Sequence, residues 1–198
     1  MAQQVSDIIL TPVQVFYAPV GTAIPADTVA VDAAWPTGWV KLGYTNDPLK
    51  MSYTFDVVEA EVQESMTAVA RKKAKEKVSL ETTLAQLSLD QLQLAFAGAV
   101  TNQAASSGVP GKEEMDLGGS SSLPIKMWGF EGSYTDDSGN TFPIRAFVWK
   151  ATSASGGDLS FGTDKYVNFP LKIDALADMS KAKGQRLCKI QRINAVAL

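Results

Sequence analysis

The clearest pattern in the chain is an alternation of apolar and polar positions across residues 52–64. Apolar side chains first occupy odd positions, from Tyr53 to Val57, and then even positions, from Val58 to Val62. In a β-strand a period of two places each set on one face of the sheet. The change of phase at Val57–Val58 therefore predicts one inserted residue, a β-bulge that bends the strand. The opposite face is then polar and acidic: Thr54, Asp56, Glu59, Glu61 and Gln63.

Residues 75–87 alternate in the same way and predict the returning strand. One side carries Val78, Leu80, Thr82 and Leu84, and the other carries Lys77, Ser79, Glu81 and Thr83. The connection over 67–75 holds four cations and little to bury: Arg71, Lys72, Lys73 and Lys75. The sequence therefore predicts a long, bent, two-faced hairpin over 52–87 with a mobile cationic tip.

A helix over 88–99 follows the hairpin. Ser88 precedes Gln91 by three residues, which is the spacing of a capping box, and Leu87 and Leu92 stand at the positions of a hydrophobic staple. Apolar residues recur at helical spacing, and Gly98 is placed to end the helix. One apolar face predicts that this helix covers a sheet.

The remaining alternating segments predict further strands without a strand–helix rhythm. They lie at 13–17, 39–44, 125–135, 141–150, 167–173 and 186–192. Asp136–Asn140 is a strong turn signal between two of them, whereas 101–122 is rich in Ser, Gly, Ala and Asn and predicts a loop insertion. The fold class that follows is mainly β, an antiparallel β-sandwich or barrel with one flanking helix and long loops.

We expect a single domain over 1–198. Its parts are an N-terminal strand and long loop (1–50), the hairpin (52–87), the helix (88–99), the insertion (101–122) and a second sheet with the C-terminal strands (123–198). A structureless loop as long as that before residue 39 is unusual in a compact domain and often functional. Because it carries Ile24, Val29, Val31 and Trp35, we expect it to pack on a neighbouring surface, with another chain as one candidate.

The composition excludes several classes of function but does not by itself indicate one. The 198 residues include no histidine, which removes histidine-based catalysis and histidine-containing metal sites. Cys188 is the single cysteine and has no partner for an internal disulfide, which fits either a reducing compartment or a thiol with no role. A net charge of −3 does not indicate a general nucleic-acid binder, and no apolar run approaches the roughly 20 residues of a membrane span.

No chemical motif in the sequence indicates an enzyme, a cofactor or a metal site. Asp136–Asn140 resembles part of a calcium loop but lacks its residue order and distant glutamate. Gly118–Ser120 lacks the lysine and helix of a phosphate-binding loop. Glu59 and Glu61 imitate a pair of catalytic carboxylates, but a solvated charged face explains them better.

Four segments resemble the major tail (tail tube) proteins of long-tailed bacteriophages. They are APVGTAIPAD (18–27), WVKLGYTND (39–47), VSLETTLAQLSLDQLQLAFAG (78–98) and FPIRAFVWKATSASGGDLSFGTDKYVNFPLKIDALAD (142–178). The resemblance implies two packed β-sheets with a helix, and self-assembly into stacked hexameric rings that form a hollow tube for DNA. Related tubes occur in contractile tails and in type VI secretion machines.

The resemblance also implies roles for particular residues. The acidic side of the hairpin would face the lumen and repel phosphates: Asp56, Glu59, Glu61, Gln63, Lys77 and Glu81. Contacts between rings or subunits would use the N-terminal loop and the basic tip: Ile24, Val29, Trp35, Arg71, Lys72, Lys73 and Lys75.

The implied partners are other copies of the chain, a tape measure protein, tail terminator and distal tail proteins, and DNA in transient, non-specific passage. No membrane, catalytic residue, cofactor or metal is implied. The chain would be made in the host cytoplasm and reside in the virion tail.

Two other classes of function stay open at this stage. One is a β-sandwich binding module, for example for carbohydrate, which would need exposed aromatic side chains from among Trp35, Trp128 and Trp149. The other is an enzyme, which the missing histidine and the missing motifs disfavour.

Overall fold

The computed structural model describes residues 12–64, 66–86, 88–119, 122–154, 156–159 and 168–195. Within these residues the chain forms ten strands and one helix. In chain order they are β1 (Gln14–Ala18), β2 (Val40–Lys41), β3 (Lys50–Ala60), β4 (Ala70–Leu84), α1 (Leu89–Phe96), β5 (Ala99–Gln103), β6 (Lys112–Asp116), β7 (Lys126–Thr135), β8 (Thr141–Ser153), β9 (Phe169–Ala175) and β10 (Cys188–Arg192).

Eight of these strands form one antiparallel sheet in the order β2-β1-β7-β8-β9-β4-β3, with β10 beside β8. Strand β8 is long enough to serve two neighbours on one side. Its residues 144–148 pair with β10, and residues 151–153 pair with β9. The mainly-β class with antiparallel sheets and one flanking helix is confirmed.

The segment after β2 crosses from one end of the sheet toward the other. Val40 and Lys41 pair with β1, whereas Thr45 forms a bridge with Leu84 at the end of β4. The backbone N–H of Ala85 donates to the carbonyl of Tyr44 at 3.0 Å. The sheet therefore curls around its core without becoming a closed barrel.

The core fills the concave side of this sheet, and α1 covers it. Side chains from β1, β4, β7, β8 and β9 share one apolar cluster, which includes Val15, Leu80, Trp128, Val148, Phe169 and Ile173. Helix α1 adds Leu92, Leu94 and Ala95, each about 4% exposed. Gln91 is also buried, and its side-chain amide donates to the carbonyl of Leu42, which ties the helix to the segment after β2.

The start of α1 agrees with the sequence, but its end does not. Ser88 Oγ accepts from the N–H of Gln91 at 3.3 Å, and Gln91 Oε1 accepts from the N–H of Ser88 at 3.1 Å, so the capping box is confirmed. Leu87 of the predicted staple lies outside the described residues. Ala97, not Gly98, adopts the left-handed cap, with φ of 56°. A larger residue does not fit at Gly98, because an added Cβ would lie 2.8 Å from the side chains of Met115 and Leu117.

The predicted bulge exists but lies on the other strand. Thr54 pairs with Lys77 and Asp56 pairs with Ala74, so Lys75 and Glu76 together lie opposite Phe55. Lys75 takes up the extra residue with a φ of 48°. Strand β3 therefore keeps its strict alternation through Val58, and the predicted change of phase at Val57–Val58 is wrong.

The insertion over 101–122 is not a plain loop. Strands β5 and β6 pair from Ala99↔Asp116 to Gln103↔Lys112 as a separate two-stranded sheet beside α1. The prediction failed because β6 has the sequence KEEMD, in which charged residues hide any apolar alternation.

The N-terminal loop over 19–39 packs on its own chain. Trp35 stacks on Phe16 of β1 with ring centroids 4.1 Å apart, and it meets Trp39 edge-on at 4.9 Å. Gly129 of β7 lies beneath it, where an added Cβ would come within 2.3 Å of the Trp35 ring. This close approach, rather than any turn, requires the glycine.

A buried ion pair fixes the same loop through its backbone. Arg145 Nε donates to Glu131 Oε2 at 2.7 Å, and the two side chains are 0% and 1% exposed. Arg145 also donates to the carbonyls of Ala26 at 3.2 Å and Val29 at 2.6 Å, while Glu131 Oε1 accepts from the N–H of Asp32 at 3.1 Å. The pair satisfies loop backbone groups from inside the sheet, as buried charges require.

Replacing Glu131 with glutamine is expected to lower the free energy of unfolding by about 3–5 kcal/mol, because the Arg145 charge loses its buried counter-charge. Urea unfolding followed by tryptophan fluorescence measures the change. Glu114→Gln is the control, because Glu114 forms an exposed ion pair with Lys112 and its loss should leave the unfolding midpoint unchanged. Equal midpoints for Glu131→Gln and the wild type would contradict the proposed anchoring of the loop.

Candidate assembly surface and polar sheet face

The hairpin of β3 and β4 extends past the rest of the sheet. Strand β9 pairs with β4 only from Ser79 to Leu84, whereas β3 continues to pair with β4 as far as Ala60↔Ala70. We call the part beyond this pairing, 54–60 with 70–77, the arm. An isolated two-stranded ribbon is marginally stable in water, so the arm depends on the sheet to which β4 belongs.

Apolar side chains are exposed on both faces of the arm. Phe55 and Val57 follow Tyr53 on one face, and all three are close to half exposed. Val58, on the other face, is 59% exposed. The turn beyond the arm adds Val62, Met66 and Val69, which are also exposed. Such a concentration of exposed apolar surface indicates an interaction site.

The cations predicted for a mobile tip belong to strand β4, so that part of the prediction is wrong. Arg71 pairs with Glu59 at 2.9 Å, and Lys75 pairs with Asp56 at 3.7 Å. Both of these acidic partners had been predicted to face the lumen. The acidic and basic residues of the hairpin therefore neutralise each other along the arm instead of occupying separate faces.

Lys73 organises the aromatic face of the arm. Its ammonium lies 4.6 Å from the ring centroids of both Tyr53 and Phe55, and it also contacts Glu76 at 3.1 Å. Lys73 donates hydrogen bonds to the Tyr53 hydroxyl and to Glu76, and these bonds raise its pKa. Lys73 is thus held in its charged form across the rings.

Strands β3, β4 and β9 share a polar face on the side of the sheet away from the core. Lys50, Glu81 and Lys172 form one row across the three strands. Lys172 Nζ lies 2.5 Å from Glu81 Oε1. In the neighbouring rows Lys77 Nζ lies 2.8 Å from Asp174 Oδ2. We call these five residues the charged rows; their charges alternate in sign across the strands.

The predicted lumenal residues fall into two groups. Lys77 and Glu81 lie in the charged rows, whereas Asp56 and Glu59 lie on opposite faces of the arm, since β3 alternates without interruption between them. Glu61 and Gln63 lie beyond β3, in the turn. The expectation of one acidic row is therefore wrong. The lysines at 50 and 172 and Asp174 were missed, although alternation in β9 shows that Lys172 and Asp174 share a face.

Two of the tryptophans proposed for a carbohydrate-binding surface are used in packing, and a lysine lies over the third. Trp128 is 1% exposed and Trp35 stacks on Phe16. Trp149 carries Lys181 over its ring at 4.4 Å. In the described ranges no group of three acidic or cysteine side chains is arranged to hold a metal ion. The described helix is also too short and too polar to cross a membrane.

Replacing Lys73 with alanine should loosen the arm, because the cation that links Tyr53, Phe55 and Glu76 is lost. We expect a several-fold increase in amide hydrogen exchange over 54–60 and 70–77, with no change in the core strands. Lys72→Ala is the matched control, since its side chain projects from the opposite face of the same strand. Equal exchange in the two variants would contradict the role assigned to Lys73.

The sequence matches the model of one protein family, described as Phage tail tube protein, over residues 1–187. No curated protein matches the sequence. The matched region includes β1 to β9 and hence the curled sheet apart from β10, the helix, the arm and the charged rows. The chain belongs to the phage tail tube protein family.

Proposed function

We propose that this protein assembles into stacked hexameric rings whose channel conducts DNA from the phage into the host. The observation that carries the proposal is the arm. It exposes apolar side chains on both faces, and β3 is the terminal strand of the main sheet. Neighbouring copies that cover this surface would bury the apolar side chains and occupy the strand edge, which otherwise invites uncontrolled pairing.

In this arrangement the arm supplies contacts between copies, and the polar face of β3, β4 and β9 lines the channel. The polar face suits a lumen because it is exposed and needs no protein partner to satisfy its charges. Glu81 and Lys77 keep their proposed lumenal position. Asp56 and Glu59 are reassigned to the arm, where they balance Lys75 and Arg71, while Glu61 and Gln63 belong to its turn.

Contacts between successive rings would use the turn beyond the arm and the outer surface of the N-terminal loop. Arg71, Lys72, Lys73 and Lys75 remain candidates for these contacts. Ile24, Val29 and Trp35 also remain candidates, although the contacts of Trp35 with Phe16 and Trp39 give it a first role inside its own chain.

The same proposal places the protein in the virion tail after synthesis in the host cytoplasm. Tape measure, tail terminator and distal tail proteins would be its other partners, and its role would be structural rather than enzymatic. A carbohydrate-binding module is not favoured, because packing occupies Trp35 and Trp128 and Lys181 lies over the ring of Trp149.

Negative-stain microscopy of the concentrated protein tests the assembly. We expect tubes of uniform diameter for the wild type and none for Val57→Asp, because a carboxylate cannot be buried without a partner at an apolar contact. Val57→Thr is the control, since it keeps the shape and β-branching of valine, and it should still assemble. Wild-type-like tubes from Val57→Asp would contradict a buried arm, and a wild type that stays monomeric would contradict the proposed function.

A further inference from the structure

We propose that Glu81 masks Lys172 and Lys50 from nucleic-acid phosphates, so that the polar face resists DNA binding by internal charge pairing rather than by an excess of acid. The inference rests on the proposed function, because it assigns this face to the DNA channel. It names the partner as the phosphate backbone of DNA and Glu81 as the residue that controls its retention.

The first step is the position of Glu81 between two cations. The register places it directly opposite Lys50 on β3 and Lys172 on β9. Lys172 Nζ is 2.5 Å from the Glu81 carboxylate. Strand neighbours lie about 4.8 Å apart, so the backbones of the two lysines are about 10 Å apart. Glu81 therefore forms an ion pair with Lys172 and lies opposite Lys50 on the next strand.

The second step is the state of these charges. The hydrogen bond from Lys172 lowers the pKa of Glu81, and the Lys50 charge lowers it further. The hydrogen bond to Glu81 in turn raises the pKa of Lys172. Both members of the pair therefore stay charged at neutral pH, and the lysine proton is directed at the carboxylate.

The third step is the net charge of the charged rows and their exposure to solvent. Three lysines (50, 77 and 172) and two acids (81 and 174) give the charged rows a net charge of +1. The side chains of Lys172 and Lys77 are 47% and 54% exposed, so phosphates can reach them. Exposed ion pairs contribute little to stability. Their consequence here is instead that Lys77 and Lys172 each have an anion at ion-pair distance, while Lys50 lies opposite Glu81.

Removing Glu81 would release two neighbouring cations on every copy. Each lysine that neutralises a phosphate steepens the dependence of log K on log salt by about 0.9 for duplex DNA. Two released lysines therefore predict a slope steeper by about 1.8. Repetition around a ring would multiply this effect along the path of the DNA.

The test measures binding of a short fluorescent DNA duplex to the full-length protein by anisotropy, at salt concentrations from 50 to 300 mM. We expect Glu81→Gln to bind more tightly at low salt with the steeper slope. The double variant Glu81→Gln/Lys172→Gln should return toward the wild type, and Lys172→Gln alone should bind no better than the wild type. Thermal melting confirms that each variant is folded.

Glu114→Gln is the matched control. It makes the same change of net charge and removes a glutamate from an exposed ion pair, with Lys112 at 2.8 Å, but on the separate β5–β6 sheet. The proposal requires Glu114→Gln to behave like the wild type. Equal affinity gains in Glu81→Gln and Glu114→Gln, or no gain in Glu81→Gln, would overturn it.

A nuclease-protection experiment separates this inference from the proposed function. DNA bound by assembled Glu81→Gln tubes should resist nuclease if the charged rows face the channel. Tight binding without protection would support the masking by Glu81 and contradict the lumenal position. If the DNA is protected but Glu81→Gln binds it no more tightly than the wild type does, the lumenal position stands and the masking by Glu81 is overturned.

Discussion

Strand β4 anchors one surface in the core and carries another into solvent. Over Ser79–Leu84 it is paired with β9 and buries Leu80 and Leu84 almost completely. Its first half pairs with β3 in the arm. Because one strand of 15 residues runs through both parts, burial in the core holds the arm in register. The arm can therefore stay folded with exposed apolar side chains, whereas an isolated hairpin is only marginally stable.

The bulge at Lys75 and Glu76 marks the passage between these two halves. It adds one residue to β4 alone, so the faces of β4 exchange there while those of β3 do not. On the core side of the bulge, charges and apolar groups occupy separate faces. On the arm side, Lys73 covers Tyr53 and Phe55, and Arg71 pairs with Glu59. One extra residue thus converts a two-faced strand into a ribbon of mixed character on both sides.

The sequence predicted those features that depend on neighbours along the chain. The capping box at Ser88 and the turn at Asp136 are local, and both are present. The bulge lies elsewhere than the sequence predicts, because the change in apolar phase on β3 comes from exposed Val58, which has no buried face to keep, and not from an inserted residue. Glu131 and Arg145 could have been found, since pairing outward from the Asp136–Asn140 turn sets them opposite each other. The contacts of Arg145 with Ala26 and Val29 could not have been predicted, because these residues are more than one hundred positions apart and no local pattern relates them.

The same limit explains why the polar face was mistaken for an acidic one. Along β4 alone, Lys77 and Glu81 do not reveal their partners, because cross-strand pairs depend on which strand lies beside them. Once β9 is placed, Lys172 and Asp174 complete the charged rows. A surface of paired charges has a weak field beyond the Debye length of about 8 Å at physiological ionic strength. It also offers each phosphate an anion beside every cation. If this face lines the proposed channel, it would give passing DNA few places to exchange counterions for lysines.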